Sequence, residues 1–503
     1  MGIRIKDNLF SSLILPIVIP IAFFSIVSYY NVLLLNAYYY SVFDLGINYH
    51  TLFLYHSNYS LLEWPNPPLI TPLTYSKMIY VPLSFTLYIY NSPITLLIDQ
   101  VFVISLGGWA LYKIAFHETT EKKFALAIQI SYFLYPATYG FIQQGGNFQI
   151  FFFGFFLVGY LLYIKNNTFG SFIFFALASI TSEIAPILIL FFFFMELIKN
   201  LGFKERILGF LRKSKLKRTE EDSHKGLFLK PLILTSVFEI LLLFFLFHLY
   251  GFSGLMGAAR LSNGSSPTLG VNQVSIFTRV FSNLEPLKFP FMLKIFEPVA
   301  FLPFLSIYVL PILFYIIVAW YSNVPVYYDT PIRQYTAAVV PFVFISVVKA
   351  FKLLVKHKRI QYAILFILVI FSLFGFLYQS PFSLNNLNQA RENATVTKFE
   401  NQLSYGLSLI PTNSSVFVEN ALPQAMNHPI VYMPGYYDKQ VVDYAIIIPK
   451  NYNFSLVSTY YNYSPHWTSY FENNTAYGIF ENISGVLIYK WHYNGSIVYS
   501  VQD

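Results

Sequence analysis

The chain has 503 residues, of which 56% are hydrophobic and only 11% charged. A soluble globular domain carries roughly 25% charge, so this surface could not be covered in water, and the chain reads as a multi-pass membrane protein. The absence of Cys excludes disulfides, zinc ribbons and iron–sulfur sites. The net charge of +8 poses the question of which membrane face carries the positive residues and is not a nucleic-acid signal.

A span needs about 20 mostly apolar residues. The first is predicted at 13–35. Arg4 and Lys6 flank it and put the N-terminus in the cytoplasm. Its apolar run is long and ends without a small-residue cleavage site, so it reads as a retained span, not a signal peptide. The first outer loop covers 36–93. Within it, 78–90 is too short to cross and fits a helix lying at the outer interface. Further spans are predicted at 94–116, 124–141, 148–164, 169–182 and 184–198.

The loop 199–227 is the strongly basic stretch of the chain, with Arg206, Arg212, Lys213, Lys215, Lys217 and Arg218 among its residues. The positive-inside rule assigns it to the cytoplasm, where it is either a solvated loop or a contact for anionic lipid. A span at 228–250 leads to a polar outer loop, 251–288. Two crossings over 290–320 are broken by Pro298, Pro303 and Pro311. Spans at 336–354 and 361–379 bring the total to about eleven crossings. Residues 1–380 thus form an all-α polytopic membrane domain.

Composition changes after Tyr378. Residues 381–503 hold five Lys/Arg and eight Asp/Glu, a net −3 that leaves +11 on the rest. Strands are predicted at Ser415–Val418, Val441–Ile448, Gly485–Trp491 and Ser496–Val501, and a helix over 389–410. This is a small C-terminal extracytoplasmic α/β domain. It carries seven N-x-S/T sequons, at Asn393, Asn413, Asn453, Asn462, Asn473, Asn482 and Asn494. On the outer side they are candidate glycosylation sites, with Asn-rich composition as the plain alternative. Asn58 and Asn263 lie in outer loops. The sequon at Asn166 falls inside and is expected to stay bare.

Ionisable groups at membrane depth or at its surface are candidate sites because their burial is costly. Asp44 follows Tyr38-Tyr39-Tyr40 in an aromatic stretch soon after the first span. A partly desolvated carboxylate suits general-base or metal-ligand work, and an Asp can equally cap a short helix. Glu183 sits at a span boundary. Asp329 and Arg333 flank Pro331 in the loop before the tenth span, and a guanidinium there suits a lipid-linked phosphate or an interface anchor. Glu63, Glu285 and Glu297 are the other outward carboxylates, and Asp99 and Glu239 read as hydrogen-bond partners within spans. No Walker A motif, arginine ladder, filter-like Gly loop, H-E-x-x-H or G-x-S-x-G occurs, and the halves show no repeat.

At Phe43-Asp44-Leu45-Gly46-Ile47 the sequence resembles the family of domain of unknown function 2079, prokaryotic multi-pass proteins. Asn91-Ser92-Pro93-Ile94, Glu297-Pro298-Val299-Ala300-Phe301-Leu302-Pro303, Gln334-Tyr335 through Pro341-Phe342, and Leu409-Ile410-Pro411 agree in order. That family looks like a relative of the type-C glycosyltransferases, which take sugar from a polyprenyl-phosphate carrier on the outer face. The resemblance implies a type-C fold, with an acid of the first outer loop, here Asp44, as general base or metal ligand. Glu183, Asp329 and Arg333 would line the site, with Arg333 on the carrier phosphate and a divalent metal ion as a possible cofactor. The chain departs from the family at Leu73-Thr74-Tyr75-Ser76, where Asp-His-Phe-Ser is usual, and at Phe148-Gln149, where Phe-His is usual. The leading expectation is a membrane glycosyltransferase using a polyprenyl-phosphate-linked sugar. The alternatives are a non-catalytic membrane protein whose external domain binds a cell-envelope partner and, third, a polyprenyl-lipid transporter.

Overall fold

Backbone polar groups in hydrocarbon must be satisfied within the chain, which favours helices, and the computed structural model is mostly helical. It describes residues 14–40, 45–57, 78–182, 184–200, 231–244, 287–322, 334–354, 358–418, 422–432, 441–448 and 465–501. The first long helix is α1 (Leu15–Asn36), followed by α2 (Ile47–His56) and the short α3 (Tyr80–Ser84). Next come α4 (Pro93–Thr119), α5 (Lys122–Leu134), α6 (Gly140–Gln144) and α7 (Phe151–Ile164). The bundle continues with α8 (Thr168–Ser179), α9 (Ala185–Asn200) and α10 (Pro231–Phe244). It closes with α11 (Phe289–Phe296), α12 (Leu310–Ser322), α13 (Val340–Leu354) and α14 (Lys358–Gln379).

Among the described residues, four helical stretches are long and apolar enough to cross a membrane: Leu15–Asn36, Pro93–Thr119, Thr336–Leu353 and Ile360–Gln379. Five shorter apolar helices accompany them, where about eleven crossings are expected. Proline accounts for part of the difference. The predicted span 124–141 stops being helical at Leu134, because Pro136 forces Tyr135 into an extended conformation. The chain resumes as a 3-10 turn, Pro136–Tyr139, and then α6. The stretch 290–320 breaks similarly into 3-10 turns at Glu297–Val299, Leu302–Leu305 and Ile307–Val309. Between the first two, Ala300 and Phe301 both take positive φ, 52° and 56°.

Burial orders the helices. The span Thr336–Leu353 is 89% buried and Pro93–Thr119 is 72% buried, so α13 and α4 form the centre. The spans of α1 and α14 are 33% and 22% buried, so they present most of their surface outward, as lipid-facing helices do. Close packing of α4 on α7 depends on Gly154, where a Cβ would lie 2.0 Å from Val103 O. At one end of the bundle Glu118 pairs with Lys349 at 2.7 Å and Lys352 at 2.8 Å, tying α4 to α13. Beside them Glu196 accepts from Tyr308 at 2.5 Å and Tyr160 at 3.3 Å. Lys349 Nζ lies 5.5 Å from both phenol rings. The interfacial helix expected at 78–90 is α3 continued by a 3-10 turn, Phe85–Tyr88. Phe85, Tyr88, Ile89 and Tyr90 are exposed there.

The C-terminal domain opens with α15 (Leu387–Asn393) and α16 (Lys398–Ser408). One helix is expected over 389–410. It is split because Thr397 and Glu400 form a capping box that starts a new helix. The strands are β1 (Ser415–Val418), β2 (Ile430–Tyr432), β3 (Tyr444–Ile447), β4 (Tyr477–Ile483), β5 (Val486–Trp491) and β6 (Tyr499–Val501), with α17 (Pro465–Asn473) before β4. The sheet order is β2-β1-β3-β5-β4-β6. β1 lies parallel to both β2 and β3, β5 antiparallel to β3 and β4, and β6 parallel to β4. The four predicted strands are present; β2 and β4 are additional.

A bulge between Ile479 and Glu481 shifts the register of β4, so that Phe480 and Glu481 are both buried. Glu481 is 0% exposed, and neither carboxyl oxygen has a hydrogen-bond partner. Burial pushes its carboxyl up from 4.5 to about 7. A folded value above the unfolded one means that folding favours the protonated acid. Its contribution is therefore complete below about 4.5 and is lost as pH rises through about 7. Glu481→Gln should remove this pH dependence and stabilise the domain at alkaline pH by about 1–3 kcal/mol. Hydrogen exchange of β4 and β5 in the full chain, corrected for intrinsic rates, reads it. Equal pH slopes in both proteins would contradict the assignment.

Candidate functional site

The four expected site residues, Asp44, Glu183, Asp329 and Arg333, lie outside the described residues, as does Leu73-Thr74-Tyr75-Ser76. The described chain neighbours of Asp44 and Arg333 meet at one turn of the bundle, 145–150, and the stretch before Glu183 is linked to it through Ile79 and Tyr80. Gly145 and Gly146 both have positive φ, and their backbones come directly against the first loop. A Cβ on Gly145 would lie 2.6 Å from Tyr40 Cδ1, and one on Gly146 would lie 2.8 Å from Leu45 Cα. Any larger residue at 146 would push the loop backbone away.

Neutral polar groups fix this arrangement. Asn48 Nδ2 donates to Gly146 O at 3.1 Å, and Asn48 Oδ1 accepts from Tyr80 Oη at 2.8 Å. Gln100 Nε2 donates to Asn147 O at 2.7 Å. Tyr40 Oη donates to Asn31 Oδ1 at 2.9 Å, and Tyr49 Oη to Asn91 Oδ1 at 2.9 Å. The rings of Tyr80 and Phe148 meet edge to face, 4.3 Å between centroids.

Next to Glu183 in the chain, Thr181 and Ser182 are fully buried. Ile180 O accepts from Ile79 N at 3.2 Å, one residue from Tyr80. Next to Arg333, the 3-10 turn Gln334–Val339 packs against α6 and against Phe148–Ile150. Of the two carboxylates expected within spans, Asp99 accepts from Thr86 at 2.7 Å and Glu239 bonds to Ser179.

A divalent metal finds no ligand set among the described residues, where no three of His, Cys, Asp and Glu come together. Position 149, next to Phe148, is a neutral amide, Gln149. Of the sequons, Asn413, Asn473 and Asn494 are exposed, and Asn393 and Asn482 are half-buried. Asn453, Asn462, Asn58 and Asn263 lie outside the described residues. Sequence reasoning missed Glu196, buried inside an apolar run. An intramembrane acid was the available signal, but its partners Tyr160 and Tyr308 are 36 and 112 residues away.

The C-terminal domain docks on the same end. Tyr38 Oη meets Ser404 Oγ at 2.9 Å, Tyr30 Oη donates to Ala390 O at 2.9 Å, and Gln424 Nε2 donates to Leu35 O at 2.6 Å. His50, on α2, lies 2.9 Å through Nδ1 from Met426 O. A carbonyl only accepts, so the neutral ring carries its proton on Nδ1. Burial pulls His50 and His428 down from 6.5 to about 4. A docked value below the free one means that docking favours the neutral rings. Their contribution is complete above about 6.5 and is lost as pH falls through about 4. Hydrogen-exchange protection of 47–56 and 422–432 should fall over that window. His50→Gln, which keeps a donor without titrating, should reduce the fall. An unchanged profile would remove His50 from the contact's pH response.

A family model described as predicted membrane protein (DUF2079) matches residues 74–473. Comparison with curated proteins and with solved structures gives no match. The matched stretch begins beyond Asp44 and takes in the surface helix, the turn at 145–150, the broken segment 297–309 and most of the C-terminal domain. It covers well over half of the chain, which therefore belongs to the DUF2079 family of predicted membrane proteins.

Proposed function

We propose that the chain is a membrane glycosyltransferase that moves a sugar from a polyprenyl-phosphate carrier to an acceptor at the outer face. The observation that supports this reading is that the segments adjoining Asp44 and Arg333 meet around 145–150, at the end where the C-terminal domain docks. On this reading that end is extracytoplasmic, and Lys349 and Lys352 mark the cytoplasmic end, in keeping with the positive-inside rule.

The acceptor hydroxyl attacks the anomeric carbon while Asp44 takes its proton. The bond from that carbon to the phosphate oxygen breaks, and the electron pair leaves with the polyprenyl phosphate. Arg333 holds that phosphate through paired N–H donors. The mechanism requires base and guanidinium a sugar's width apart, about 6–10 Å, by analogy with inverting sugar chemistry. Glu183 and Asp329 orient sugar hydroxyls. A divalent metal, if used, would help neutralise the leaving phosphate, and no step here depends on it. The exposed sequons, Asn413 and Asn494 above all, are glycan acceptors on the same face.

The competing reading is a non-catalytic membrane protein whose external domain binds an envelope partner. It is favoured by the departures at Leu73-Thr74-Tyr75-Ser76 and Gln149, where titratable family residues are replaced. In proteoliposomes loaded with a polyprenyl-phosphate sugar, Asp44→Asn should lower turnover by about 100-fold or more with donor binding retained. Arg333→Ala should weaken donor binding. Sugar transfer unaffected by Asp44→Asn would sink the mechanism and leave the binding protein.

Sidedness has its own test. The chain has no Cys, so single cysteines introduced at Ser214 and Ser455 report alone. Membrane-impermeant reagent should reach position 455 from outside and position 214 only after permeabilisation. Labelling of both from one side would overturn the orientation.

A further inference from the structure

Glu239 is a buried acid that the proposed reaction does not use. It lies on α10, a helix whose other face is apolar and exposed at Ile233, Leu234, Val237, Ile240, Leu241 and Phe244. Thr235 and Glu239, one turn apart, are both 0% exposed. The Phe172 and Phe238 rings meet at 5.6 Å and show that α10 packs on α8. Glu239 Oε1 is hydrogen-bonded to Ser179 Oγ of α8. Its Oε2 and Thr235 Oγ1 are buried without a partner. Neither of the two salt bridges among the described residues reaches it.

A count of hydrogens decides its state. Ser179 Oγ also donates to Phe175 O at 2.8 Å. A hydroxyl has one hydrogen, so Ser179 cannot donate fully both to this carbonyl and to an ionised carboxylate. If Glu239 is the neutral acid the conflict disappears. Glu239 then donates to Ser179 Oγ, and Ser179 donates to Phe175 O. The alternative is a full carboxylate charge in an apolar wall with one oxygen unanswered, which costs far more than the neutral form.

We propose that Glu239 is a membrane-embedded proton-binding site, occupied at neutral pH, whose proton closes a Glu239–Ser179–Phe175 hydrogen-bond chain between α10 and α8. The ligand is the proton itself. Its loss reverses the demand on Ser179, which must give up either the Phe175 carbonyl or the carboxylate, so proton exchange here is coupled to the α8–α10 contact. The site does not depend on the sugar-transfer reading.

Infrared spectroscopy of the full chain reconstituted in lipid tests it. At neutral pH the wild-type spectrum should contain the C=O stretch of a protonated carboxyl that Glu239→Gln lacks. Gln can itself donate to Ser179 and so keeps the packing. Ser179→Ala should move the band to higher frequency by removing its hydrogen-bond acceptor. Dicyclohexylcarbodiimide, which modifies protonated carboxyls in apolar surroundings, should add to the Glu239 peptide, and more slowly as pH is raised. A wild-type minus Glu239→Gln difference that shows only carboxylate bands from about pH 5 to about pH 9 overturns the proposal. Should Glu239→Gln fail to reach the membrane, a band that does not move in Ser179→Ala overturns it instead.

Discussion

Backbone that is not helical can sit inside an apolar bundle only if the surrounding protein answers its polar groups. Two such segments shape this molecule, 135–150 and 297–309. The first is answered by Asn48 and Gln100 at Gly146 O and Asn147 O, and by Tyr139 and Thr138, which donate back to Phe133 O and Tyr132 O. The second is answered from α14, where Ser372 Oγ donates to Pro298 O, and from α5's end, where Tyr135 Oη donates to Ile295 O. Apart from the local bonds of Thr138 and Tyr139, these reach over long stretches of chain. The broken segments and the helices around them therefore specify each other. The turn at 145–150 holds its place because helices from the first, second and last thirds of the membrane domain close on it.

The docking of the C-terminal domain follows from that turn. Tyr38 and His50, which meet Ser404 and Met426, stand on either side of the loop seated on Gly145 and Gly146. Tyr38 itself takes a positive φ of 54°, a conformation that a large side chain adopts only when its surroundings hold it there. Tyr40 and Leu45 thus rest against glycine backbone, while Tyr38 and His50 bond to the domain.

The long apolar runs were legible because length and hydropathy are local: predicted spans 13–35, 94–116 and 361–379 correspond to helices Leu15–Asn36, Pro93–Thr119 and Lys358–Gln379. The breaks over 290–320 were readable from Pro298 and Pro303, but the one at Pro136 was missed, and an apolar run tells nothing of the 3-10 turns that replace a helix. The split near residue 395 was readable in Thr397-Lys398-Phe399-Glu400 only as far as Thr397 and Glu400 stand three apart, a pattern easily lost in a polar segment. β2 was missed because it is three residues long, and β4 because Gly478, Glu481 and Asn482 interrupt its β-branched pattern. For the site, sequence marked the aromatic segment before Asp44 and the position of Gln149. It did not reveal that Gly145 and Gly146 lie beneath that segment, because only three-dimensional approach gives those glycines their role.

The two ends of the bundle solve the same packing problem with different chemistry. At one end buried Glu118 pairs with buried Lys349 and with Lys352 at the surface, and Glu196 accepts from two phenols. Such a network is strong only while each charge keeps its partner, and it is costly to open. At the other end the scaffold around 145–150 is built of amides and phenols, Asn31, Asn48, Gln100, Tyr40, Tyr49 and Tyr80. These groups donate and accept without carrying charge at neutral pH. Paired charges tie α4 to α13 at one end of the bundle, whereas the described contacts at 145–150 are made by amides and phenols, whose directed hydrogen bonds fix geometry without a desolvated charge to compensate.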